Sequence, residues 1–155
     1  MTVMRIRELM NRNLIMVSGD TSCRSAVAKM YRARVRHLPV VDAAGAVVGV
    51  VTDRDLRHYL FSPVVSTDLG GTPIDKLLEA APVSRIMSAP VITVEAEDDV
   101  QVAARAMLAH KIGSLPVTDG GRLVGIVTET DVLREVCRAD TECSPEVTAV
   151  VVSPS

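Results

Sequence analysis

"GVVTDRDL" (residues 49–56) and "GIVTETDV" (residues 125–132) write one phrase twice, each with a Thr and an Asp three residues apart. Working outward, a shift of 77 positions lays "LPV" at 38–40 on "LPV" at 115–117, Met10 on Met87, Ile15 on Ile92 and Asp42 on Asp119. One residue drops out of the following turn ("AAGA" against "GGR"). At an offset of 76, Gly49, Thr52 and Asp55 then fall on Gly125, Thr128 and Asp131. The 155-residue chain is therefore two copies of one supersecondary unit.

Each copy carries its own local signals. Cys23, Ala26, Val27, Met30, Tyr31 and Val35 match Val100, Ala103, Ala104, Met107, Leu108 and Ile112, and their spacing of three and four marks one face of a helix. Ser22, and Asp98 or Asp99, are N-cap candidates. After each helix, a Gly-containing turn joins two β-rich runs, which reads as a hairpin. Pro39 and Pro116 have no amide donor and are expected where the sheet needs none. A short strand is expected before each long helix (14–17 and 91–94), and a second helix after each Thr. The fold class is α/β (α+β), with each repeat read as β-α-β-β-α. The segment 62–81 reads as a linker with one or two helical turns at "PIDKLLEA", and residues 139–155 as a tail that is either disordered or an added edge strand.

Thr-x-x-Asp at a strand end is first of all a capping box, in which the Thr hydroxyl accepts from an amide of the first turn and the acid reaches back. That role stabilises a helix start by about 1 kcal/mol. The same geometry also suits a ligand. A helix N-terminus favours a phosphate, and a carboxylate accepts both hydroxyls of a ribose diol. Capping and binding are compatible at one Thr.

Composition narrows the function. Net charge is −2, so no global field recruits nucleic acid or an anionic membrane. The halves differ, however: residues 1–80 carry +3 and residues 81–155 carry −5. The aromatics are Tyr31, Tyr59 and Phe61, too few for a single-strand stacking platform. Cys23, Cys137 and Cys143 are odd in number and lack metal-ligand spacing, which favours reduced thiols and a cytoplasmic protein. "MTVMRIRELM" lacks the apolar core of a signal peptide, and no apolar run is long enough to span a membrane.

The pair "HLPVVDAAGAVVGVVTDRDL" and "SLPVTDGGRLVGIVTETDV" resembles the cystathionine-β-synthase (CBS) domain in tandem, over residues 5–61 and 82–138. The resemblance implies two CBS motifs packed about a pseudo-twofold axis as a Bateman module, which commonly pairs into a disc-shaped homodimer. It implies a stand-alone regulatory module with no catalytic role, whose clefts take AMP, ADP, ATP or S-adenosylmethionine-type ligands and which signals to a regulated protein. No cofactor is obligatory.

Carried over position by position, the ribose-binding acids are Asp55 and Asp131 and the accompanying hydroxyls Thr52 and Thr128. Arg54 and Thr130 face phosphate or sugar. Arg36 and His37 precede the second strand of the first repeat, where Gly113 and Ser114 stand in the second. Adenine contacts fall around Ile92 for the Asp55 site and Ile15 for the Asp131 site. The Asp55 site is thus expected to grip phosphate, with Arg32 and Arg34 nearby in sequence. The Asp131 site, with Ser114 and Thr130, has no cation from its own repeat. The competing expectation is a dimeric interaction module with vestigial, unoccupied clefts. Arg32 and Arg34 also fit a solvated helix end. No nucleophile–base pair suggests an enzyme, the metal and membrane classes have no support, and nucleic-acid binding through the basic first half ranks last among the readings.

Overall fold

The computed structural model describes residues 3–62 and 73–139. The first repeat contains α1 (Ile6–Leu9), β1 (Val17–Ser18), α2 (Cys23–Ala33), β2 (His37–Val41), β3 (Val47–Thr52) and α3 (Asp53–Leu60). The connector contributes α4 (Ile74–Ala80) and a 3-10 turn at Val83–Arg85. The second repeat contains β4 (Val94–Glu95), α5 (Val100–His110), β5 (Ser114–Asp119), β6 (Arg122–Thr128) and α6 (Glu129–Ala139). Two three-stranded sheets result, ordered β1-β2-β3 and β4-β5-β6, each with a parallel and an antiparallel pair. The mixed α/β class and the repeated β-α-β-β-α order are as the sequence implies. The tail at 140–155 and Cys143 lie outside the described residues.

The strands before the long helices are shorter than expected. Only Val17 and Ser18 pair with β2, at Val40 and Val41, and only Val94 and Glu95 pair with β5, at Val117 and Thr118. Proline accounts for the truncation. The next β2 residue is Pro39 and the next β5 residue is Pro116, which have no amide to continue the ladder. On the other side, Pro39 stands opposite Val50 and Pro116 opposite Ile126. Neither proline is asked for a bond there, because Val50 and Ile126 turn their own groups outward. Val50 exchanges hydrogen bonds with Ser88 (3.3 and 2.9 Å), and Ile126 exchanges them with Asn11 (3.1 and 2.8 Å).

Those outward bonds reveal an exchange of segments between the repeats. The leading segment of the first repeat belongs structurally to the second. The Ile6 N–H donates to the Asp98 carbonyl, Arg7 N–H to the Ala96 carbonyl and Val100 N–H to the Met4 carbonyl, at 2.9, 2.9 and 3.0 Å. Reciprocally, Val83 N–H donates to Thr21, Ser84 N–H to Gly19 and Cys23 N–H to Ala81, at 2.8, 3.1 and 2.8 Å. The two sets are the same bonds one repeat apart. Ile6 is fully buried in the core of Val94, Ala103, Met107, Leu115 and Val127, while Leu78, Ala81 and Val83 complete the core of Cys23, Ala26, Leu38 and Val51. Burial of these aliphatic side chains, at about 25 cal/mol per Å² of apolar surface, is the main force holding each half.

The exchange also explains both repeat glycines. A Cβ on Gly49 would stand 2.6 Å from Met87 Sδ and 3.0 Å from the Ser88 carbonyl oxygen. On Gly125 it would stand 2.6 Å from Met10 Sδ and 3.1 Å from the Asn11 carbonyl oxygen. Each leading segment is laid directly against a strand that has no side chain there.

Ser22 and Asp99 cap α2 and α5, as two of the candidates suggest. Asp98 instead accepts from the Glu95 amide at 2.9 Å. The apolar stripe of α2 and α5 is wider than the face the chain buries. Met30 and Met107 are buried, but Tyr31 is 86% exposed and Leu108 80% exposed. Each lies one residue past its buried Met, about 100° farther round the helix.

Candidate functional site

Both Thr-x-x-Asp motifs form complete reciprocal caps. The Thr52 hydroxyl accepts from the Asp55 amide at 3.1 Å, and Asp55 Oδ2 accepts from the Thr52 amide at 2.8 Å. Thr128 and Asp131 repeat this at 3.3 and 2.9 Å, and the Thr128 hydroxyl also donates to Asp131 Oδ2 at 2.9 Å. Each cap is braced by the residue that precedes β2 or β5: Asp53 N–H donates to the Arg36 carbonyl and Glu129 N–H to the Gly113 carbonyl, both at 3.0 Å.

Capping leaves the two acids unequal. Asp55 Oδ1 makes no hydrogen bond among the described residues, whereas Asp131 Oδ1 faces the Arg134 guanidinium at 3.4 Å. An open carboxylate oxygen at a helix start can accept a ligand hydroxyl.

The two caps face one another across a single cleft of about 690 Å³ between the repeats. Its first wall carries Arg36, His37, Thr52, Arg54 and Asp55. Its second carries Ile92, Ser114, Thr128, Thr130 and Asp131. Ile15 is not among the lining residues; it packs against the first core, where the short β1 leaves it. Between the walls the lining includes apolar side chains, Val50 of β3 and Ile126 of β6, with Val35 and Ile112 from the turns that precede β2 and β5.

His37 sits at the meeting of the walls. Burial lowers its pKa below the ordinary 6.5, Arg36 adds to the lowering, and Asp53, Glu129 and Asp55 oppose it. Its imidazole is therefore neutral at pH 7. Ser114, its repeat counterpart, is buried at the equivalent strand start.

Several cleft residues were not singled out from the sequence. Asp53 and Glu129 follow the two Thr residues and line the cleft. Lys111 lines it too, as does Arg34, which the sequence had placed near the Asp55 site; both are the left-handed residues that end α5 and α2 (φ 53° and 54°). Glycine normally takes that place, and a side chain there costs about 1 kcal/mol or more. Lys111 corrects the expectation that the second repeat offers no cation. Arg32 stays outside the cleft. The repeat alignment held the signal, since it pairs acid with acid at 53/129 and cation with cation at 34/111.

Cys23 is a buried core residue whose thiol is pushed up by burial, with Arg85 opposing, and it takes no part in the cleft. No helix among the described residues is long and apolar enough to cross a membrane.

The family model for the CBS domain matches residues 6–62 and 83–138. The chain belongs to the CBS domain family. It is 36% identical over 129 residues to a CBS domain-containing protein of Dictyostelium discoideum, covering 83% of this chain and 88% of that one. It spans only 21–45% of other curated relatives, among them homoserine O-acetyltransferases and inosine-5′-monophosphate dehydrogenases. Among solved structures, CBSX2 in complex with AMP superposes with TM-score 0.66 at 28% identity, covering 87% of this chain and 97% of that one. The CBS domain pair of protein MJ0100, in complex with 5′-methylthioadenosine and S-adenosyl-L-methionine, superposes with TM-score 0.71 at 24% identity, covering 90% and 100%.

Proposed function

We propose that this chain is a regulatory module that senses an adenosine-containing ligand in the cleft between its repeats and signals to a protein partner through a change of conformation. The observation that carries the reading is Asp55, whose open Oδ1 lies in the same cleft as Arg36 and Arg54. Asp55 accepts a ribose hydroxyl, the arginines meet a phosphate, and the apolar side chains between the walls take the purine. AMP, bound by CBSX2, is the first ligand to test. ADP, ATP and S-adenosylmethionine follow. The module regulates and does not catalyse: a carboxylate beside a ribose binds it, and no nucleophile–base pair accompanies it among the described residues. The cysteine pattern supports a reducing, cytoplasmic setting.

A ligand shifts conformation only by preferring one state. The reciprocal segments supply a route, because Asn11 and Ser88 both line the cleft and tie each repeat to the other. The exposed Tyr31 and Leu108, with Phe61, Leu133 and Val136 also exposed on or beside α3 and α6, support a homodimer formed through helices.

The second reading, a dimeric interaction module with an unoccupied cleft, has one observation in its favour: complete caps already account for both Thr-x-x-Asp motifs. A thermal-shift panel with AMP, ADP, ATP, S-adenosylmethionine and a GTP control separates the two. A ligand at a hundredfold excess over its Kd stabilises the fold by about 2.7 kcal/mol. A selective adenine shift supports sensing, and no shift with any of them replaces it with the interaction module.

A further inference from the structure

The two walls of the cleft are not electrically equivalent. On the first wall, Arg57 is spent on Asp53 at 3.0 Å, whereas Arg34, Arg36 and Arg54 make no ion pair among the described residues. On the second wall the charges are Lys111, Glu129 and Asp131. Repeat alignment shows how the difference arises. Where the first repeat has Arg36, the second has Gly113, and where it has Arg54, the second has Thr130.

The space that an Arg36 counterpart would fill is shared by two groups of opposite kind. The place of a Cβ on Gly113 lies 3.6 Å from His37 Nε2 and 3.6 Å from Glu129 Oε2. The imidazole of the first repeat and a carboxylate of the second thus both border the space left by the missing side chain. A phosphate on the first wall finds three uncommitted guanidinium groups. A phosphate placed symmetrically on the second would meet the Glu129 carboxylate, with its guanidinium counterpart missing. Like charges at such range repel, and more strongly in a cleft partly withdrawn from water.

We infer that the cleft takes one phosphate-bearing nucleotide per chain, seated on the first wall, and that Gly113 and Glu129 are the residues that bar a second. This rests on the reading of the cleft as a nucleotide site, and it adds stoichiometry, orientation and the determinants of both.

The test is calorimetric titration of AMP into the wild-type chain, Glu129→Gln, and the double variant Gly113→Arg with Glu129→Gln. The backbone admits a side chain at 113, because its Cβ would make only ordinary contacts at 3.6 Å. The expected result is one AMP per wild-type chain and two per chain of the double variant, with Glu129→Gln giving weak second-site binding. Should the double variant fail to fold, Glu129→Gln decides: a second, weaker AMP upholds the inference and strictly one overturns it. Two AMP per wild-type chain, or one in a folded double variant, leaves the nucleotide site standing and overturns the asymmetry. No AMP bound by any of the three overturns the nucleotide reading and this inference with it.

Discussion

Replacing Gly49 by alanine adds one methyl group where the two repeats lie closest. The new carbon would stand 2.6 Å from Met87 Sδ, 3.0 Å from its Cγ and 3.0 Å from the Ser88 carbonyl oxygen. The Met87 side chain can turn away only at the cost of its packing on the first core. The Ser88 carbonyl cannot retreat without lengthening its bond from the Val50 amide, already 3.3 Å, and loosening the 2.9 Å bond that returns. Overpacking of this kind costs about 1–3 kcal/mol, and each hydrogen bond weakened is worth about 0.5–1.5 kcal/mol net. Loss of the glycine's freedom in the unfolded chain offsets about 0.4–1 kcal/mol.

The sum is a destabilisation of about 2 kcal/mol, or a Tm lower by roughly 4–8 °C at this chain length. Gly125→Ala should behave alike, because its Cβ meets Met10 Sδ at the same 2.6 Å. Gly113→Ala is the control: its nearest atoms are 3.6 Å away, so it should be neutral or slightly stabilising. Urea unfolding followed by circular dichroism reads all three, with unchanged m-values confirming that the native state alone is affected. If Gly49→Ala and Gly125→Ala unfold within about 0.5 kcal/mol of Gly113→Ala, the account of the glycines as close-approach sites is wrong.

Asp55→Glu keeps a residue suited to a capping box but moves the carboxylate outward. Stability should stay within about 0.5 kcal/mol while AMP affinity falls at least roughly tenfold, and Asp55→Ala should lose both, with about 1 kcal/mol from the cap; unaltered affinity in Asp55→Glu would remove Asp55 from the ribose. His37 has a folded pKa below 6.5, so its neutral form contributes fully above that value, and the contribution is lost as pH falls through the folded pKa. His37→Gln should therefore flatten the acid-side decline in stability measured by denaturant titration from pH 7.5 to 5, and identical slopes would contradict the desolvation. Ile6→Ala should cost about 2–5 kcal/mol and raise amide exchange in β5 and β6 before β2 and β3, because Ile6 is buried in the second core; the reverse order would refute the segment exchange. Leu108→Glu should shift light scattering toward monomer mass at micromolar concentration, and an unchanged mass would take α5 out of any interface.

Much of this molecule is legible without coordinates because its signals are local. The 3–4 spacing that buries Cys23, Ala26 and Met30, the Ser22 and Thr52 caps, and the hairpins closed at Gly45 and Gly120 depend on neighbours a few residues away. The same holds for the acids at the strand ends, which the sequence places at helix starts and the structure finds there. The truncation of β1 and β4 was partly legible too, since Pro39 and Pro116 forbid a longer ladder.

By itself, then, the sequence determined the duplication, the order of elements in each copy and the chemistry at each Thr-x-x-Asp. Tertiary structure alone decided that Ile6 completes the second core and Val83 the first, that both caps open on one cleft, and that His37 and Glu129 both border the bare backbone of Gly113. The reason is physical. Helix periods and caps are set by interactions within a turn or two of chain. The pairing of Asn11 with Ile126, by contrast, spans more than a hundred residues and leaves no periodic mark, only a glycine whose missing side chain makes room for it.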